Sequence, residues 1–282
     1  MTVPPLPTIM IEPLVRAALL EDLGRAGDIT TDAIVPSHAR GRTALVARQP
    51  GTVAGLDCAL LAFRLIDPEV KAEVARPDGS TVAKGETIAT ISGPTRGILT
   101  GERVALNFLC HLSGIASMAA AVVRSIAGTR ARLVCTRKTT PGLRAVQKYA
   151  VRVGGGFNHR FGLDDGVLIK DNHIAAAGSL EEAVARARAA IGHLVKIELE
   201  VDTMAQLEKA LALRLDAVLL DNMSNDEMRR AVAMVAGRLV TEASGGITPA
   251  SAPAIAATGV DLLSSGALTH SVTALDIGLD WR

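Results

Sequence analysis

Apolar and polar positions alternate in two different ways along this chain, and the change falls near residue 115. In the first part, apolar residues recur at helical spacing over 8–22 and over Leu56–Ile66. Short runs separated by turn sequences such as PDG predict strands. These strands are Thr43–Arg48, Val53–Gly55, Val70–Ala75, Thr81–Val82 and Thr87–Ile91. The pattern predicts a small α+β, sandwich-like domain over 1–115.

After Arg132, apolar runs alternate with helical segments, which implies a parallel sheet. The runs are Leu133–Cys135, Val167–Ile169, Val195–Leu199, Ala217–Leu220, Leu239–Val240 and Val260–Leu263. The helical segments are 142–152, 180–191, 203–213, 225–236 and 249–257. A closed eight-stranded barrel normally takes ~250 residues. We therefore predict an incomplete, open-sided α/β barrel over 116–282, and we leave open whether the C-terminal segment returns to the first domain.

Two stretches suggest other functions that we do not favour. Val104–Val123 has no charged residue and is long enough to cross a bilayer, but it contains Asn107 and His111 and is rich in alanine, which favours insertion only weakly. We interpret it as a long helix buried between the two domains. DGSTVAKGETIATISG resembles the turns of biotinyl or lipoyl carriers, but Lys84 lacks the flanking methionines of a carrier site. We take this resemblance as shared architecture only.

Composition narrows the class of protein. The net charge is +1, and aromatic residues make up 2% of the chain, so a broad nucleic-acid surface is not expected. The three cysteines show neither metal-ligand spacing nor an even-numbered disulfide framework. The N-terminal sequence lacks the features of a signal peptide. A cytoplasmic enzyme is therefore expected.

Positive charge is concentrated in one segment, Thr136–Ile174. Its basic residues are Arg137, Lys138, Arg144, Lys148, Arg152, Arg160 and Lys170, with His159 and His173. One face of a predicted helix carries Arg144, Lys148 and Arg152. Their spacing fits a solvent-exposed face and the rim of a phosphate site equally well. The segment as a whole indicates a small, highly charged anionic ligand.

Polar groups follow the predicted parallel strands, where the active site of such a barrel forms. Ser244-Gly245-Gly246 and Ser265-Gly266 follow the last two strands, and glycine-rich loops there are typical of a phosphate site. Glu200 and Asp221 end neighbouring strands, where carboxylates can hold Mg2+, directly or through water, or accept hydrogen bonds from a ribose.

Eight motifs span nearly the whole chain: GDITTDA, GERVALNFLCHLSGIA, TRKTTPGLR, KYAVRVGGGFNHRFGLDDGVLIKDNHI, ELEVD, LLDN, SGGI and SSGALTHS. Together, in this order, they resemble the motifs of the quinolinate phosphoribosyltransferase family. Cys110 and Cys135 depart from the family pattern. The resemblance implies an N-terminal α/β domain, an open barrel and a homodimer. It also implies the Mg2+-dependent reaction of quinolinate with phosphoribosyl pyrophosphate, which gives nicotinate mononucleotide, pyrophosphate and CO2.

The resemblance assigns roles to the residues above. The residues it implies for quinolinate binding are Arg103, Arg137, Lys138, His159, Arg160 and Lys170. Those implied for phosphoribosyl pyrophosphate are Lys138, Glu200, Asp221, Ser244, Gly245, Gly246, Ser265 and Gly266. Those implied for catalysis are Lys138, Lys170, Glu200 and Asp221. Arg103 is expected to act in the neighbouring subunit's site, and planar guanidinium groups suit two adjacent carboxylates.

Three alternatives stay open at the sequence level. Lys170 at a strand end could form a Schiff base, as in an aldolase. A molybdenum-associated relative would use another nitrogenous acid, although we expect it to lack the KDNH sequence of Lys170–His173. A non-catalytic anion-binding protein would not need both the acidic pair and the cationic site.

Overall fold

The computed structural model describes residues 3–282, and within them the chain divides into two compact units. Unit 1 comprises 1–120, 139–155 and 269–282, of which Met1 and Thr2 lie outside the described residues. Unit 2 comprises 121–138 and 156–268. Two later segments, 139–155 and 269–282, therefore belong to the same compact unit as residues 3–120.

Unit 1 combines an antiparallel sheet with helices. Its elements are α1 (Thr8–Leu23), α2 (Ile29–Ile34), β1 (Arg40–Ala47), β2 (Gly51–Thr52), α3 (Leu56–Ile66), β3 (Lys71–Val74), β4 (Thr81–Val82), β5 (Thr87–Pro94), α4 (Thr95–Ser125, which ends in unit 2) and α5 (Arg144–Val153). The C-terminal strand β12 (Ile277–Trp281) pairs with β1, and the sheet order is β12-β1-β5-β3. β2 and β4 form a separate two-stranded sheet.

Helix α4 is the one element of the described chain that is long and apolar enough to cross a membrane. Half of its most apolar stretch is buried inside the protein, as in the core helix of a soluble fold, and such a helix passes the same test. Gly114 allows close packing here, because a Cβ at this position would lie 2.3 Å from the carbonyl oxygen of Thr273. Within unit 1, α4 is thus a packed helix.

Unit 2 is built on a six-stranded parallel sheet. Its elements are β6 (Arg132–Val134), β7 (Val167–Ile169), α6 (Asp171–Ala177), α7 (Leu180–Ala190), β8 (Ile197–Val201), α8 (Met204–Ala210), β9 (Ala217–Asp221), α9 (Asn225–Val235), β10 (Val240–Ser244), α10 (Ala252–Ala256), β11 (Leu262–Ser264) and the start of α11 (Ala267–His270). The strand order is β6-β11-β10-β9-β8-β7, and every pairing is parallel. β6 and β7 are the two edge strands, so the sheet does not close through them. The predicted fold class, an α+β part followed by an open α/β barrel, is confirmed.

Strand alternation fixes which side chains of unit 2 meet. In β8, Ile197, Leu199 and Val201 are fully buried, whereas Glu198 and Glu200 are half-buried on the opposite face. Helix capping supports the loops that follow the strands: Ser224 accepts a hydrogen bond from the backbone N–H of Glu227 at the start of α9. The parallel strands therefore present their carboxyl ends, with the attached polar groups, along one edge of the sheet.

Candidate active site

Four functional groups lie at the carboxyl ends of neighbouring strands. Lys170 directly follows β7, Glu200 lies in the last part of β8, and Asp221 and Ser244 end β9 and β10. These strands are consecutive neighbours in the sheet. Carboxyl ends of parallel strands meet at one edge, and this edge carries the active sites of α/β barrels. We call this group of residues the upper cluster.

One ion pair links two members of the upper cluster. The ammonium group of Lys170 forms an ion pair with the carboxylate of Glu200, whose side chain is 12% exposed, against 44% for Lys170. Glu200, Asp202 and Asp221 each offer a carboxylate oxygen within 4.8 Å of the others. Oxygen ligands are those that Mg2+ prefers, so the donor set fits this ion. Asp202 was not predicted from the sequence, although the ELEVD motif places it two residues after Glu200 on the same face.

The loop after β10 depends on glycine. The backbone N–H of Asn222 donates to the carbonyl oxygen of Ser244 (3.1 Å), and Asn222 itself has a left-handed φ of 53°. Gly245 has φ 106°, and a Cβ there would lie 2.1 Å from Oδ1 of Asn222. The Asn222 amide donates to Asp221 (2.6 Å). A side chain at position 245 would therefore disturb the loop and Asp221 together.

Ser265 stabilises the next loop. Its side chain is buried, with the residue 3% exposed. The Ser265 hydroxyl donates to the carbonyl oxygen of Ile247 (3.0 Å), and the Ser265 backbone N–H donates to the carbonyl oxygen of Val134 (3.1 Å). Both donors are therefore occupied within unit 2. Gly246 and Gly266 lie in the loops after β10 and β11, and their phosphate-binding role, like that of Ser265, stays a prediction.

Two arginines of the basic segment lie close together. The pKa of Arg160 is lowered by burial and by the positive charge of Arg137. Arg160 also donates a hydrogen bond to the carbonyl oxygen of Gly166 (3.3 Å). Lys138 follows Arg137 and is exposed, with its backbone N–H donating to the hydroxyl of Thr136 (3.0 Å). A bound anion with two negative charges would relieve the repulsion between the guanidinium groups.

A second group of titratable residues lies nearer the amino ends of the strands. His159 Nε2 is 2.9 Å from an oxygen of Glu198 and 3.6 Å from one of Glu242. His159, Glu198 and Glu242 form the lower cluster. All three line a cavity of about 580 Å³. The first residues of β7, β8, β9, β10 and β11 also line it, so it lies at the amino ends of these strands.

The remaining predicted positions fall in unit 1 or in the core. Arg103 is exposed on α4. On α5, Arg152 is exposed and Arg144 is half-buried, but Lys148 is fully buried. The interpretation of these three residues as one solvent-exposed face of the helix is therefore wrong. The family departure Cys135 is buried. Sequence spacing placed the three basic residues on one face but could not show what packs against it.

Together, the acidic strand ends, the glycine loops and the adjacent arginines define a class of protein. It is an α/β-barrel enzyme whose site suits a small, multiply charged anion and a phosphorylated partner.

Comparison with known proteins identifies the family. The model of the C-terminal domain of quinolinate phosphoribosyl transferase matches residues 115–280, and that of the N-terminal domain matches 28–113. A probable nicotinate-nucleotide pyrophosphorylase (carboxylating) from Bacillus subtilis is 45% identical over 96% of this chain and 93% of the relative. Its counterpart from Mycobacterium leprae is 46% identical over 94% of this chain and 95% of the relative.

Solved structures agree. The crystal structure of NadC from Streptococcus pyogenes superposes with a TM-score of 0.94 at 42% identity, covering 99% of this chain and all of that one. The chain belongs to the quinolinate phosphoribosyltransferase family, as its motifs predicted. It is accordingly an enzyme of the pentosyltransferase class, which was also predicted.

Proposed function

We propose that this enzyme transfers the phosphoribosyl group of phosphoribosyl pyrophosphate to quinolinate, with decarboxylation, in NAD biosynthesis. The observation that carries the proposal most directly is the closeness of two arginines, since burial, and then the positive charge of Arg137, lower the pKa of Arg160. Quinolinate carries two adjacent carboxylates, and guanidinium groups bind carboxylates bidentately. The acidic residues of the upper cluster supply the opposite charge, which suits the sugar end of the second substrate.

We assign the reaction to two kinds of group. As the bond from the anomeric carbon to pyrophosphate breaks, positive charge develops on the sugar, and the carboxylates of Glu200 and Asp221 stabilise it. The pyridine nitrogen of quinolinate then forms the new bond to that carbon. The ring nitrogen becomes cationic, and its positive charge stabilises the electron pair that stays on the neighbouring ring carbon when the bond to the 2-carboxylate breaks and CO2 departs. A proton finally replaces the lost carboxylate, with Lys138, Lys170 or water as the donor.

Mg2+ is part of this proposal. Glu200 and Asp221, with Asp202 beside them, would hold the ion directly or through water, since their oxygens lie within 4.8 Å of one another. When bound, Mg2+ supplies positive charge that helps pyrophosphate to leave. Lys170 forms an ion pair with Glu200 beside this acidic group. This environment speaks against the alternative of Schiff-base chemistry at Lys170, because a lysine that forms a Schiff base lies in an apolar pocket or next to another cation.

The proposal extends to assembly and compartment. We propose a homodimer in which Arg103 acts in the neighbouring subunit's site. Arg103 is an exposed arginine beside the apolar residues of α4, and the family resemblance supplies an anionic partner for it. We place the enzyme in the cytoplasm, since its three cysteines, all within the described residues, form no disulfide.

Acceptor choice tests the reaction. Quinolinate should be converted to nicotinate mononucleotide with release of CO2 and pyrophosphate, whereas nicotinate should be a poor acceptor. Nicotinate would leave the arginines without the 2-carboxylate as their anionic partner, and such a loss can reduce kcat/KM by ~10⁴-fold or more. Product formation from each acid at matched concentrations is the measurement. Comparable rates with the two acids would contradict the decarboxylating assignment.

Subunit mixing tests the role of Arg103. Arg103→Ala and Lys138→Ala should each be nearly inactive alone. In a mixed dimer, one site combines an intact Lys138 with an intact Arg103 from the other subunit. Random re-association of equal amounts makes half of the dimers mixed, so we expect about a quarter of wild-type activity, by analogy with shared-site dimers. No recovery after verified exchange would mean that Arg103 serves its own subunit or has a structural role.

A further inference from the structure

Asn222 follows β9 directly and has a left-handed backbone conformation, with φ 53°. Within residues 3–282, Ala236, with φ 49°, is the one other residue besides glycine in this region. A side chain there crowds its own backbone, although asparagine tolerates the conformation better than most residues. Asn222 is exposed, so burial of its side chain does not account for the strain. A strained residue next to the upper cluster is therefore a candidate for a functional role.

The left-handed conformation brings the Asn222 amide to Asp221. In an extended strand, successive side chains point to opposite faces, so an extended residue 222 would direct its amide away from the Asp221 carboxylate. Instead, Nδ2 of Asn222 donates a hydrogen bond to Oδ2 of Asp221 at 2.6 Å. Hydrogen bonds to an ionised carboxylate are short and strong. The strained backbone thus makes a hydrogen-bonded pair of two side chains that would otherwise diverge.

Two further contacts hold Asn222 in this place. Its backbone N–H donates to the carbonyl oxygen of Ser244, at the end of β10 (3.1 Å). Gly245 leaves room for Oδ1 of Asn222, since a Cβ on Gly245 would lie 2.1 Å from that oxygen. The main chain of Asn222 is therefore tied to the neighbouring strand, and its amide lies between Gly245 and Asp221.

The contact with Asn222 gives the Asp221 carboxylate a defined orientation. Oδ2 accepts the hydrogen bond from the amide, which leaves Oδ1 to face the sugar of the second substrate. Glu200 and Asp202 each offer a carboxylate oxygen within 4.8 Å of one from Asp221. Repulsion between like charges favours a rotation of Asp221 away from these two residues, and the hydrogen bond from Asn222 opposes it.

We propose that Asn222 is a positioning residue, held in its left-handed conformation by Ser244 and Gly245, which orients the carboxylate of Asp221 towards the reacting sugar. This inference rests on the proposed function, because it takes the phosphoribosyl group as the ligand of Asp221. It gives a role to the asparagine of the LLDN motif, to which the family resemblance assigned none. Asn222 itself touches no substrate in this scheme.

Asn222→Gly separates orientation of Asp221 from support of the fold. Glycine adopts the left-handed conformation without steric cost but has no amide, so kcat/KM for phosphoribosyl pyrophosphate should fall ~10- to 100-fold, the range seen when a residue that orients a ligand is lost. KM for quinolinate should change little. The midpoint of thermal unfolding should not fall, because the backbone strain is relieved.

Ala236→Gly is the matched control, since it relieves the same kind of strain at the end of α9, before β10 begins. It should keep the kinetics of the wild type. Wild-type kinetics in Asn222→Gly would overturn the proposal. A fall in both kcat/KM and the unfolding midpoint of Asn222→Gly would also overturn it, because Asn222 would then only support the loop.

A double-mutant cycle tests whether Asn222 acts through Asp221. Asp221→Ala removes the carboxylate that the amide orients, so adding Asn222→Gly should change kcat/KM by no more than about twofold. Losses that multiply in the double variant would show that Asn222 acts independently of Asp221 and would overturn the proposal. Asn222→Asp also tolerates the left-handed backbone but presents a negative charge to Asp221, and it should be less active than Asn222→Gly.

Equilibrium binding gives a readout that does not depend on turnover. Calorimetric titration with phosphoribosyl pyrophosphate and Mg2+, without quinolinate, should give a Kd about tenfold higher for Asn222→Gly than for the wild type. Equal Kd values would overturn the proposal. If the Kd values differ as expected but the wild type does not convert quinolinate, the proposed function fails and the role of Asn222 stands.

Discussion

The upper and lower clusters of the barrel use the same strand differently. Glu200 and Glu198 lie two residues apart on one face of β8, yet Glu200 pairs with the half-exposed Lys170 and Glu198 with a largely buried histidine. The two carboxylate side chains are equally exposed, 12% each, so the difference between them lies in their neighbours. Next to Glu198, the buried Glu242 is pushed towards its neutral form. Glu200 thus belongs to a group with a half-exposed cation, and Glu198 to a group with a second, buried carboxyl.

The largest expected effect is at the upper cluster. Asp221→Asn should lower kcat by about 10²- to 10³-fold, the loss typical when a group that stabilises a charged transition state is neutralised. Quinolinate affinity should change little, because Asp221 acts near the sugar. Steady-state kinetics and equilibrium quinolinate binding measure the two effects. Asp226→Asn, at a position 89% exposed on α9, is the matched control. If Asp221→Asn lost quinolinate affinity but kept a normal kcat, Asp221 would act on quinolinate and not on the sugar.

At the lower cluster, we expect an effect of pH on stability. The pKa of Glu242 is about 7 in the folded protein and 4.5 as its ordinary value. Between these pH values the native state binds more protons than the unfolded state, so the free energy of unfolding falls as pH rises, by roughly 3 kcal/mol in total. Glu242→Gln should remove this fall and be more stable than wild type at pH 8.

Denaturant unfolding from pH 4.5 to 8 measures the difference. Glu208→Gln provides the control, because an exposed side chain should leave the pH dependence unchanged. Parallel curves for Glu242→Gln and wild type would mean that Glu242 is ionised in the native state, and the contrast between the two clusters would be lost.

Gly245→Ala tests how the upper loops support Asp221. The new Cβ would meet Oδ1 of Asn222, whose amide binds Asp221, so we expect KM for phosphoribosyl pyrophosphate to rise about tenfold, as when one hydrogen bond is weakened. Gly259→Ala shares the positive φ (90°) but meets only an ordinary contact, 3.4 Å from Val232. Both variants should lose about 1–3 kcal/mol of stability through backbone strain. Equal KM values for phosphoribosyl pyrophosphate in Gly245→Ala and Gly259→Ala would show that the contact with Asn222 does not affect Asp221.

The two clusters also differ in how far the sequence predicted them. The upper cluster follows from local order, because each member ends or follows a strand that an apolar run reveals, and parallel strands bring these ends together. Even there, the observed strands differ from the predicted ones. The prediction Val195–Leu199 corresponds to β8 at Ile197–Val201, and the prediction Leu239–Val240 corresponds to β10 at Val240–Ser244. Flanking polar residues such as Glu200 and Ser244 are part of their strands, which an apolar run cannot show.

The lower cluster depends on contacts between distant parts of the chain. From the sequence, no role was assigned to Glu198 or to Glu242. The two glutamates lie near His159 because of the order of the strands in the sheet, which spacing along the sequence does not reveal. The same limit applies to β12, which was not predicted as a strand and pairs with β1 from the other end of the chain. The short helix α6 was also missed, because its seven residues carry no helical pattern of apolar positions.

The smallest expected effect distinguishes loop support from substrate contact at Ser265. Ser265→Ala removes the hydrogen bond to Ile247 and should lower the free energy of unfolding by about 1 kcal/mol, with KM for phosphoribosyl pyrophosphate nearly unchanged. Thr258→Val is the matched control, since its buried hydroxyl bonds to Ile255 at the end of α10. Thermal unfolding and steady-state kinetics of both variants are the measurements. A tenfold rise in KM for Ser265→Ala alone, without loss of stability, would show that its hydroxyl binds phosphate after all and belongs to the chemistry of the upper cluster.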